Sequence, residues 1–91
     1  MTVVAMNVPQ SLADRIRQHV RTAIIDPART AGRTTVTVCA SDIHADLGLE
    51  NRMPAVCGAL DARKFCEENG VREIRRSGPK FSSSVEWIFA L

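Results

Sequence analysis

The sequence predicts a single α+β domain in which three helices pack on a small antiparallel sheet that ends in a C-terminal β-hairpin. Three observations predict it. Apolar residues recur at helical spacing in the first and middle thirds, a β-branched run "RTTVTVCA" separates them, and Val85, Trp87, Phe89 and Leu91 alternate strictly at the end. At 91 residues the chain builds one hydrophobic core, so residues 1–91 form one domain without a linker, repeat or low-complexity segment.

Helix one is expected at about 11–25, with an extension to 31. Ser11 followed by Asp14 makes a capping-box variant, and Leu12, Ile16, Val20, Ala23 and Ile24 form the buried stripe. Pro27 should disturb this helix, and Gly32 ends its extension. Residues 34–39 alternate Thr with Val and read as a strand with Val36 and Val38 inward. Ser41 offers an N-cap oxygen to a short helix at 42–47, with Ile43 and Leu47 on its buried side. Gly48 suits a left-handed stop, and Leu49 follows where such a cap packs its hydrophobic contact.

Pro54 fits the first turn of a further helix at 53–68, whose core stripe is Met53, Val56, Cys57 and Leu60 and whose stop is Asn69 with Gly70. One side of this helix, carrying Asn51, Ala55, Gly58, Ala59 and Ala62, lacks large and acidic side chains. Residues 71–91 divide into two β runs around "SGPKFSSS", a hairpin with a basic tip.

The net charge of +2 is slight but uneven: Arg72, Arg75, Arg76 and Lys80 gather near the hairpin, whereas Asp42, Asp46 and Glu50 gather near the short helix. The three cysteines, Cys39, Cys57 and Cys66, lie in apolar or helical patterns and read as small core residues in a reducing compartment. "MTVVAMNVP" lacks the positive start and apolar length of a signal peptide, and no run reaches membrane-spanning length, which points to the cytoplasm.

No phosphate-binding glycine loop, nucleophile elbow, zinc-hydrolase motif or paired carboxylates stand out, so neither catalysis nor a cofactor is expected. A zinc site from His44 and the cysteines is disfavoured by the absence of a Cys-x-x-Cys pair and by Cys57's place in the core stripe. His19 reads as a packed surface histidine. Trp87 belongs in the core by its alternation, and Phe81 lies closer to the hairpin tip, where it would meet a sugar or a partner.

The order of helix, strand, short helix, tight turn, longer helix and hairpin resembles a winged helix-turn-helix domain, over about Ser11 to Leu91. The segments that carry the likeness are "SDIHADLGL", "NRMPAVCGAL" and "RRSGPKFSSS". It implies a small prokaryotic protein that binds double-stranded DNA without being an enzyme, either a transcriptional regulator or a DNA-associated accessory factor. Residues 53–68 would then be the recognition helix in the major groove, with 71–91 as the wing.

On that resemblance Asn51 and Arg52 read base edges, Ala55 and Ala59 touch bases or thymine methyl groups, and Arg63 and Lys64 reach phosphates or bases. Ser41 would supply a phosphate contact at a helix start, and Arg75, Arg76, Ser77, Lys80 and Ser82 would hold the backbone from the wing. Homodimerisation through "MTVVAMNV" and helix one is an open option, as is a strand formed by that segment. The alternative function is a winged-helix protein-interaction module, because an Ala- and Gly-lined face also suits close packing and the acids near it would repel phosphate. RNA is a third candidate, less suited to a groove-reading helix.

Overall fold

The computed structural model describes residues 11–80 and 82–91; the N-terminal run expected as a dimer contact or strand, and Phe81, lie outside the described residues. Helix α1 is continuous over residues 12–30, with a π-helical turn at Arg21–Ile25 between α-helical Leu12–Val20 and Asp26–Thr30. Strand β1 is Thr35–Cys39, α2 is Ala40–Asp46, α3 is Met53–Asp61, α4 is Arg63–Asn69, β2 is Arg72–Ser77 and β3 is Glu86–Ala90. The described residues therefore form an α+β domain with four helices and one three-stranded antiparallel sheet. None of the described helices is long and apolar enough to cross a membrane.

The Ser11 hydroxyl caps α1 by accepting the Asp14 N–H at 3.1 Å. Pro27 does not end the helix. In regular α-helix its missing N–H would orphan the Ala23 carbonyl and its ring would crowd that oxygen; the chain instead widens, and the Asp26 N–H donates to the Arg21 carbonyl five residues back. The wide turn also resets the buried face. From Val20 the inward stripe steps to Ile25 and then Ala28, leaving Ala23 exposed and Ile24 half-buried, which corrects the stripe expected from uniform helical spacing.

β3 is the central strand, in the order β1-β3-β2. Val36 pairs with Phe89 and Val38 with Trp87 on one side, and Arg76 pairs with Trp87 on the other. Val85, Trp87 and Phe89 are fully buried, and Leu91 packs against the same core. Ile16, Val20 and Ile25 of α1 meet this sheet face together with Ile43, Val56, Leu60 and Phe65. A bulge between Glu73 and Arg75 leaves Ile74 unpaired and 51% exposed.

The joint between α2 and α3 closes as a Schellman motif. The Gly48 N–H donates to the Ala45 carbonyl and the Leu49 N–H to the His44 carbonyl, with Gly48 left-handed at φ 63°. Leu49 packs against the core as such caps require. Ser41 does not cap α2: the cap position is Cys39, without a side-chain bond, and Ser41 lies exposed inside the first turn.

The helix expected at 53–68 is broken at Ala62, whose backbone is extended at φ −69° and ψ 136°. Its periodicity gives the reason. Three and four residues beyond buried Leu60 stand Arg63 and Lys64, which an unbroken helix would drive into the core; the break starts a new phase that buries Phe65 and Asn69 instead. Phe65 then packs on Phe89 with ring centroids 5.2 Å apart.

Two substitutions test these assignments. Gly78 sits at φ 99°, and an added Cβ would lie 2.9 Å from the Val85 Cα, so Gly78→Ala destabilises the fold by more than about 1 kcal/mol in denaturant melts. The Asp14 carboxyl is held below its ordinary value, first by the Arg17 hydrogen bond and then by Ser11. A depressed folded-state value stabilises fully above the ordinary value and loses its effect as pH falls through the depressed one, so the parent's advantage over Asp14→Ala in melting temperature shrinks on acidification through that window.

Candidate nucleic-acid interface

Between α2 and α3 the chain turns at Asn51, the one non-glycine residue with positive φ among the described residues, at 53°. Asparagine tolerates that conformation, so Asn51 shapes the joint as well as standing exposed at it. Arg52 occupies the N-cap of α3, and its backbone N–H donates to His44 Nε2 at 3.2 Å. His19 on α1 meets Asp46 of α2 at 3.1 Å, which ties α2 to α1 just before the joint.

The bare side expected on the recognition helix is not one exposed face. Ala59 is buried at 3% exposure, so the base contact assigned to it is withdrawn; its carbonyl accepts from Arg17 of α1 at 3.4 Å. Helix α1 packs closely on α3, and the small side chain is what permits that approach. Ala55 is half-buried and packs against the core, and Ala62 stands in the break. What remains outward of that side is Asn51 and Gly58, whose missing Cβ would meet nothing within 4 Å, and Pro54 stands exposed beside them.

Among the described residues, the side chains of Arg52, Arg63 and Arg75 have no hydrogen-bond or ion-pair partner and are exposed. Lys64 is exposed but lies 3.8 Å from Glu68 and 3.9 Å from Asp14. Arg63 and Lys64 belong to α4, beyond the break, and not to the helix that starts at Met53. Ser77 is half-buried at the end of β2, and Lys80 is exposed in the loop after it. The Ser82 hydroxyl accepts the Ser84 N–H at 2.9 Å, so it shapes the loop rather than standing free for a phosphate.

Arg76, expected on a phosphate, is already engaged. Its Nε donates to Asp61 Oδ1 at 2.7 Å and its Nη2 to the Lys80 carbonyl, while its guanidinium carbon lies 5.7 Å from the Trp87 ring centroid. Asp61, on the last turn of α3, also accepts the Trp87 indole N–H at 2.8 Å, and its bond keeps the Arg76 charge firmer than usual. Sequence reasoning missed Asp61; the signal was an acid placed where the apolar period of α3 fails.

The hairpin loop lies against α3. Cys57 Sγ approaches the Ser82 carbonyl at 4.0 Å, and the Val85 carbonyl accepts the N–H of Ala40 at the start of α2. Burial raises the thiol values of Cys39, Cys57 and Cys66, which keeps all three protonated and weakly nucleophilic near neutral pH. Among the described residues, no group of three or more His, Cys, Asp and Glu could hold a metal ion. A groove of about 500 Å³ between α1 and α4 is lined by Arg17, Arg21, Asp26, Glu68 and Asn69, a mixed-charge surface that favours no single ligand charge.

Compared with known proteins, the chain matches no family model, no curated protein and no solved structure.

The packing role of Ala59 is measurable. Ala59→Leu overfills the α1–α3 contact and lowers unfolding free energy by about 1–3 kcal/mol in a urea titration, whereas Ala62→Ser, in the half-buried break, costs less.

Proposed function

We propose that this protein is a non-enzymatic DNA-binding module of winged-helix type, working in the cytoplasm on double-stranded DNA as a regulator or DNA-associated accessory factor. The observation that carries the reading is Gly58. A glycine inside an exposed helix forfeits about 1 kcal/mol relative to alanine, and no neighbour within 4 Å requires it here. A surface kept bare against helix propensity suits close approach to an outside partner. The order of elements and the sheet order β1-β3-β2, with the hairpin loop beside α3, support the winged-helix assignment.

In this reading α3 enters a major groove about 12 Å wide with Pro54 and Gly58 toward its floor. Asn51 and Arg52, at the helix start, read base edges; an Arg paired to guanine contributes about 1–3 kcal/mol of discrimination. Arg63 and Arg75 neutralise phosphates, and the loop around Lys80 lies along the backbone. The repulsion to be overcome comes from Asp42, Asp46 and Glu50, all exposed on α2 and the joint. Those acids favour the second reading, in which the same face docks to a protein whose surface is basic.

Fluorescence anisotropy of a labelled random-sequence duplex, at low and near-physiological salt, separates the two. DNA binding predicts micromolar affinity that weakens steeply with salt, loss of sequence preference in Arg52→Ala, and a shallower salt slope in Arg63→Ala with Arg75→Ala. Gly58→Ala should stabilise the fold by about 0.5–1 kcal/mol while weakening the complex, a pairing of effects that a purely structural glycine does not give. Absence of binding at low salt overturns the DNA reading in favour of protein docking.

A further inference from the structure

We infer that Asp61 is a positioning residue for the hairpin loop, holding it at a fixed angle to α3 through Arg76. The functional part of this inference rests on the DNA-binding reading. One carboxylate oxygen receives Arg76 Nε from β2 at 2.7 Å and Trp87 Nε1 from β3 at 2.8 Å. The same guanidinium reaches onward to the Lys80 carbonyl inside the loop. The path of bonds therefore runs from the last turn of α3, through the end of β2, into the loop that would lie along a duplex. Both charged side chains are mostly shielded, with side-chain exposures of 32% for Asp61 and 22% for Arg76.

The geometry suits this role better than phosphate binding. Arg76 is spread between an acid, a carbonyl and an aromatic ring, and a phosphate would meet a guanidinium whose charge Asp61 already partly neutralises. A lysine cannot replace it, because one ammonium on a flexible stem lacks the planar fork that meets Asp61 and Lys80 together. Two further ties, the weak Cys57 thiol contact with Ser82 and the Ala40 N–H bond to Val85, lie toward its C-terminal end. Arg76 reaches the loop on its Lys80 side.

Asp61→Asn and Arg76→Lys test the assignment on the full chain. Both are measured where emission from Trp87, the single tryptophan, shows the indole still buried. Hydrogen exchange reads the Ser82 and Val85 amides, which donate to Pro79 and Ser82. The expected result is faster exchange at these amides in both variants. It is accompanied by roughly threefold to tenfold weaker binding of the random duplex, with the salt slope unchanged.

A stabilising contact alone would lower the denaturant midpoint and leave the affinity of the folded protein as it was. Unchanged loop exchange, or a salt slope reduced by about one in Arg76→Lys, overturns the assignment; the second outcome would return Arg76 to a phosphate. If the parent binds no duplex while the variants still loosen the loop, the DNA reading falls and the positioning role of Asp61 stands.

Discussion

A buried indole N–H has to be given an acceptor, and much of this fold is arranged around that requirement. Trp87 lies fully buried in the central strand, where an unmet N–H would cost about 1–3 kcal/mol. Asp61 answers it, and Arg76 from the neighbouring strand pairs with the same carboxylate oxygen. Satisfying all three groups fixes the end of α3 against β2 and β3. The chain can break at Ala62 without loosening that corner, and α4 is free to take the phase that delivers Phe65 to Phe89.

Most elements were legible because their signals are local. The Thr and Val alternation of β1, the alternating apolar residues of β3, the Ser11 cap and the Gly48 stop each depend on a few neighbouring residues, and each formed. What escaped prediction depends on which residues the assembled core buries. The π-helical turn follows from Pro27 needing to stay inside a helix whose next buried residues are Ile25 and Ala28. The break at Ala62 follows from burying Phe65 rather than Arg63 and Lys64, a choice only the assembled core enforces.

The candidate site was legible only in part, for a related reason. Small residues on a helix signal close approach without naming the side from which it comes. Ala59 admits α1 from inside, whereas Gly58, one residue away, faces outward. Arg76 and Arg75 are likewise adjacent and indistinguishable by composition, but strand alternation turns one toward Trp87 and leaves the other free in solvent. Charge and size identify candidates; only the fold separates those used for assembly from those left for a partner.

The placement of β3 also bears on how the molecule comes into being. Residues 86–90 form both ladders of the sheet, pairing residues 35–39 on one side and 72–77 on the other. During synthesis, β1 and β2 would emerge as strands without a shared partner, and the helices would have no sheet to cover. Assembly of the sheet therefore waits for residues 86–90, and a chain cut before them carries the four described helices but lacks the strand that joins β1 to β2 beneath them.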